Sequence, residues 1–156
     1  MSLESFQEKI IRQLVEQEIL LSRLYAIFAH QFSKYKEFWG KLSKEEERHA
    51  KLVEKLFEAT KTGLIVFDEG KMKTYTLSAF ITRLKGIVER AERGEFNLTA
   101  AFTYAVDYES SLIEKNIFSH FDSLSDKAKG TLKILQTETV KHVERIRLAR
   151  KTSLSK

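Results

Sequence analysis

The chain has 156 residues, 42% of them hydrophobic and 31% charged, enough for one domain with a buried core. It contains no cysteine, so disulfides, thiolate zinc sites, iron–sulfur clusters and cysteine nucleophiles are excluded, and any metal must be held by carboxylate, imidazole or water. The net charge of +5 is spread along every segment, with one mild cluster in "RIRLARKTSLSK" and no aromatic–basic interleaving or DNA-binding motif. That pattern reads as a solvated basic surface, and nucleic acid is not an expected partner.

With no proline and only six glycines, the chain lacks the punctuation of an all-β fold, and long helices are the default. No run approaches the roughly 20 apolar residues of a membrane span. The start, "MSLESFQEKIIRQL", has no basic-then-apolar layout, so a cytoplasmic protein is expected. In chain order, helix A covers about 3–32, with Phe6, Ile10, Leu14, Leu21, Tyr25, Phe28 and Phe32 on one face and Ser33 as cap and break. Helix B, 34–60, carries Tyr35, Trp39, Leu42, Val53 and Leu56. A crossover, 61–96, opens with "KTGLIVFDEGKMKTYT", where Gly63 and Gly70 signal turns, and holds a short amphipathic helix, 77–92, ending at Arg93–Gly94. Helix C, 97–122, is capped by Asn97 and carries Leu98, Phe102, Ala105, Leu112 and Ile113. Helix D, 125–152, follows Ser125–Asp126 and carries Leu132, Leu135, Ile146 and Ala149. Short A–B and C–D links make two antiparallel hairpins, and the long B–C connection can travel the length of a bundle. The expectation is a single all-α domain, a four-helix bundle with one long crossover containing a short extra helix.

Polar residues interrupt the apolar stripes. Helix A runs 6, 10, 14, then Glu18, then 21, 25, 28, 32; helix B runs 35, 39, 42, then Glu46 and His49, then 53 and 56. Glu109 sits in the stripe of helix C; in helix D, His142 does, with Glu138 one turn before it. The neighbours Glu45, Glu47 and Arg48 point elsewhere and read as surface charges. Buried carboxylates on four helices would repel one another unless cations lay between them. Two divalent ions balance four carboxylates, and one glutamate from each of two helices plus Glu-x-x-His from the others is a carboxylate-bridged dinuclear pattern. Hard oxygens with two imidazoles suit iron, two per chain, with manganese as the other fitting cation. The chain also echoes itself. Glu18 to Glu46 is 28 residues and Glu109 to Glu138 is 29, while "IFAHQF" is echoed by "IFSHF".

On these residues the chain resembles the ferritin-like superfamily, and within it the rubrerythrin-like di-iron domain. The features are Glu18 followed seven residues later by Tyr25, the "EEERHA" element with Glu46 and His49, Glu109 in helix C and His142 in helix D. The resemblance implies a metal site of Glu18, Glu46, His49, Glu109, Glu138 and His142, with Tyr25 hydrogen-bonding a ligand carboxylate. It implies a non-haem di-iron oxidoreductase of peroxidase or ferroxidase type reacting with peroxide or O2, and a homodimer. No rubredoxin-like Cys-x-x-Cys tail is present, so an external electron-donor protein is expected. The departure is in helix D. The family pattern puts glutamate at 139, where this chain has Thr139, with Glu138 displaced by roughly 100° around the helix.

Blander readings stand beside these. Ser43-x-x-Glu46 fits a capping box, His49 alone fits a hydrogen-bonded core histidine, and His30 and His120 near helix ends fit dipole partners. The function alternatives are an iron-binding or iron-oxidising protein without turnover of its own, and a bundle whose site has degenerated and that serves as an interaction protein.

Overall fold

A computed structural model describes residues 3–61, 65–67, 74–115, 121–123 and 126–154, with side chains described over 12–55, 58, 78–111 and 129–154. Five helices carry the fold: α1 (Leu3–Gln31), α2 (Lys36–Lys61), α3 (Thr74–Glu92), α4 (Leu98–Lys115) and α5 (Asp126–Leu154). The α1 helix packs along α2 and α3, α4 packs along α5, and α2 meets α5 to close the bundle. The architecture is all-α, two helical hairpins joined by a crossover that contains α3. No helix among the described residues is long and apolar enough to cross a membrane.

Two features were not foreseen. Ile65–Phe67 (β1) and Phe121–Ser123 (β2) form an antiparallel ribbon, with Ile65 opposite Ser123 and Phe67 opposite Phe121. It ties the start of the crossover to the α4–α5 link. Helical periodicity carried helix C on to 122, but α4 is helical to Lys115 and Phe121 is already extended. A three-residue strand shows too little alternation to stand out from a sequence. The expectation placed on His120 falls outside the described residues. Between α1 and α2 the break falls at Phe32, whose φ of −113° and ψ of 82° leave the helix, and Ser33 opens a 3-10 turn to Tyr35 without a side-chain cap.

Other helix ends follow their local chemistry. Asn97 Oδ1 accepts from the Ala100 backbone N–H at 2.8 Å, the N-cap bond of α4. At the end of α3, Gly94 takes φ 73°. Its N–H donates to Ala91 O at 2.9 Å, and Glu95 N–H donates to Arg90 O at 3.1 Å. Those two bonds close a Schellman motif that needs the left-handed conformation glycine adopts without strain.

The core is aromatic at one level and polar at the next. Trp39 is fully buried, with ring centroids of Phe28 at 5.0 Å, Phe102 at 5.1 Å, Phe38 at 5.2 Å and Tyr25 at 5.5 Å. One turn further along, Ser22 and Ser43 clasp α1 to α2. Each hydroxyl donates to the other's carbonyl, at 2.9 and 2.8 Å. Two small buried residues facing each other let these helices approach closely there. Buried Tyr108 of α4 donates to Gln17 Oε1 of α1 at 2.8 Å.

Removing the central ring empties the largest single volume in this layer. Trp39→Ala is expected to destabilise the chain by about 3–5 kcal/mol. In a thermal scan followed by circular dichroism that lowers the midpoint by on the order of 10 °C.

Candidate metal centre

Just below the aromatic layer the stripes turn polar. Glu18 of α1, Glu46 and His49 of α2, Glu109 of α4 and His142 of α5 are each at most 3% exposed. Four helices therefore deliver three acids and two imidazoles into one dry space. The α2 residues share a face because they are three apart, and each of the others occupies a core position of its own helix.

Glu46 is the hub. Its Oε1 lies 2.9 Å from His142 Nδ1, and its Oε2 lies 3.3 Å from His49 Nδ1. Glu109 Oε1 is 3.2 Å from His142 Nδ1, and Glu18 Oε2 is 3.8 Å from His49 Nδ1. The two imidazole rings stack with centroids 5.0 Å apart. The arrangement has two halves, Glu18 with His49 and Glu109 with His142, and Glu46 touches both. Ligand atoms of Glu46, His49 and His142 all lie within 4.8 Å of one another, a group that can hold a metal ion.

Both histidines turn Nδ1 inward, and their other nitrogens have separate partners. His49 Nε2 is 3.0 Å from Glu138 Oε1, and Glu138 is gripped by both Nη atoms of Arg48, at 3.2 and 2.8 Å. His142 Nε2 is 2.9 Å from Glu45 Oε2, and Glu45 takes Arg145 Nη1 at 2.8 Å. Glu138 thus stands on the outer side of His49, apart from the inner acids. Thr139 is buried, and its hydroxyl donates to Leu135 O at 2.8 Å within its own helix, so α5 brings no inner carboxylate. Glu45 and Arg48 are not the plain surface charges their sequence positions suggested. The missed signal was the Glu-x-x-x-His spacing, present in α2 as Glu45 and His49 and again in α5 as Glu138 and His142.

The electrostatics follow from burial. Desolvation, then the charge of Glu46, raises Glu18 well above the ordinary carboxylate range. The same two causes push Glu109 up to about 7, against a hydrogen bond from His142. Burial also disfavours the charge on Glu46, but hydrogen bonds from Glu18, His142 and His49 outweigh it and hold Glu46 well below the usual value. Burial opposes a charge on His142, yet bonds to Glu109 and Glu46 raise it to about 11. His49 is raised for similar reasons, against its own desolvation. Protons therefore do the neutralising in the metal-free protein.

The unmet bonding of the donor set bears on its fit to a metal. Glu109 Oε2 is buried with no hydrogen-bond partner, an expensive state for a carboxylate oxygen and one a cation would satisfy. The Tyr25 hydroxyl is also buried and unpartnered. Burial and the nearby Glu109 charge raise its pKa well above normal. Convergent Nδ1 atoms, oriented Nε2 atoms and an unsatisfied carboxylate fit a hard divalent cation. His30 is exposed in the last turn of α1, away from this cluster.

Fold and site together define a ferritin-like carboxylate bundle. The family model described as Rubrerythrin matches residues 9–136, and the chain belongs to the rubrerythrin family. No curated protein and no solved structure matches it. The match includes Glu18, Glu46, His49 and Glu109 and stops short of Glu138 and His142. The position of His142 at the site rests on geometry alone.

The protonation pattern makes metal-free stability depend on pH. Glu109 has a folded pKa of about 7 against 4.5 for the free group, and His142 about 11 against 6.5. Both are raised, so each contributes stability that is present in acid and lost as pH rises, over about 4.5–7 and 6.5–11 respectively. Glu46, held low, acts the opposite way and only below about 4.5. Calorimetry of chelator-treated protein should show a melting temperature that falls steadily from about pH 5 to about pH 9. Metal-loaded protein should fall less, because the cation replaces those protons.

Proposed function

We propose that this chain is a non-haem iron protein, an oxidoreductase that reacts with peroxide or O2. The observation that carries the reading is the inward set of Glu18, Glu46, Glu109 and two histidine Nδ1 atoms, with one carboxylate oxygen left unsatisfied. Those five residues would hold the metal, Glu46 between the two halves. Iron bound there supplies the electrons for reducing peroxide or O2, a reduction that consumes protons as it proceeds.

The chain's own residues supply the setting. The Trp39, Phe28 and Phe102 layer keeps water from the Tyr25 side of the cluster. Tyr25 keeps its proton at neutral pH and lies beside Glu109, placed to donate a hydrogen bond to that carboxylate. An external electron-donor protein, supplying the electrons that restore reduced iron, is part of this reading. A homodimer and a cytoplasmic location complete the reading.

The exchange at Thr139 favours a second reading, an iron-binding or iron-oxidising protein without steady turnover, because α5 offers an imidazole but no inner acid. Anaerobic loading tests both. The protein should bind about two Fe(II) per chain and be oxidised by peroxide faster than free Fe(II), and Glu18→Ala should lose about 10-fold or more of its metal affinity. Steady turnover with an electron donor separates the oxidoreductase from the second reading. Oxidation no faster than free Fe(II) would remove the oxidoreductase, and a chain that binds no Fe(II) would remove both.

A further inference from the structure

The outer contacts form a repeated device. Glu45 lies four residues before His49 on α2, but it reaches across to His142 Nε2 at 2.9 Å and to Arg145 at 2.8 Å, both on α5. Glu138 lies four residues before His142 on α5, but it reaches across to His49 Nε2 at 3.0 Å and to Arg48 at 2.8 Å, both on α2. Each carboxylate thus holds one imidazole and one guanidinium of the opposite helix, and the pair crosses the α2–α5 seam in both directions.

We propose that Glu45 and Glu138 are paired positioning residues that set the tautomer and ring angle of the two histidines, and that Glu138 is not a metal ligand. The proposal rests on the metal-binding reading of the inner cluster. A carboxylate facing Nε2 accepts an N–H there, which leaves the Nδ1 lone pair free to point inward, where Glu46 lies between the two rings. The arginine behind each acid matters in two ways. It fixes the carboxylate by charge-assisted bonds, bidentate at Glu138. It also cancels the acid's charge, so the outer shell adds no net repulsion to the three inner acids. Glu138 is engaged on both oxygens, one with His49 and Arg48, the other with Arg48 alone, and it cannot turn inward without releasing all three bonds.

Zn(II) is a suitable probe, being diamagnetic and redox-silent. It would be titrated into the full chain and into Glu45→Ala, Glu138→Ala, Glu45→Gln and Glu138→Gln, against a chromophoric chelator. Nitrogen-15 histidine spectra would report which ring nitrogen carries the proton. In the Zn(II)-loaded wild type both rings should carry it on Nε2. Each alanine variant should bind Zn(II) roughly 10–100-fold more weakly and lose that pattern at the histidine it faces, with the number of ions bound at saturation unchanged. The glutamine variants keep an acceptor oxygen, so they should fold as the wild type does, retain the tautomer and fall between the two in affinity.

Three results would overturn the proposal. In one, the alanine variants bind as the wild type does. In another, affinity falls while the tautomers stay put, which is a purely electrostatic role. In the third, Glu138→Ala alone loses one ion at saturation, which makes Glu138 a ligand. Wild-type protein that binds no Zn(II) would bring down the metal reading together with the clamp. Indifferent variants on a binding wild type bring down the clamp alone.

Discussion

Three carboxylates share a space from which water has been removed, and this repulsion organises the rest of the molecule. Left ionised and unpaired, each would cost several kcal/mol. The metal-free chain avoids that cost with protons. Glu18 and Glu109 are driven toward their neutral forms, both histidines toward their charged forms, and Glu46 alone is kept ionised at the centre. A cation can take over the work of those protons atom for atom, since the Nδ1 atoms and acid oxygens that now face one another are the ones that would face it. A site held together by protons already gathers donor atoms that a metal could take.

The architecture serves that arrangement. The site draws on α1, α2, α4 and α5, so both hairpins must be in register before it exists. On one side the reciprocal Ser22–Ser43 bonds set the spacing of α1 and α2 one helical turn from Glu18 and Glu46. Tyr108 reaching Gln17 ties α4 to α1 at the level of Glu109. The α2–α5 seam is crossed beside the histidines by the paired Glu–Arg–His contacts. Exposed ion pairs are weak, but the Arg145–Glu45 pair is partly buried, and each pair is joined to a buried imidazole.

Much of this was legible because helix periodicity is strict. Glu18, Glu46, His49, Glu109 and His142 each interrupt an otherwise apolar stripe, and a stripe of threes and fours has only one inward direction. Every one of them is buried. Asn97 and Gly94 announced helix ends through chemistry that is local to a few residues. What could not be read was which side chain crosses to another helix. Glu45 and Arg48 sit beside the inward face, where a long side chain can turn to solvent or reach a neighbour, and periodicity is silent on that choice. The β1–β2 ribbon was hidden for a related reason, since its pairing joins residues 65–67 to 121–123 and has no local signature.

The α5 half of the site is where charge counting departs from what the sequence suggested. Four acids against two divalent cations balance, and that sum included Glu138. With Glu138 turned outward to Arg48, the inner acids are three, and Thr139 spends its hydroxyl on its own helix. One divalent cation would leave a surplus negative charge and two would leave a surplus positive one. In a dry core neither surplus is tolerated without a partner. A proton retained on one inner acid answers the first case. A small anion bound with the metals answers the second. The exchange of one carboxylate for a hydroxyl thus ties the metal count of this bundle to the protons and anions it holds at the same time.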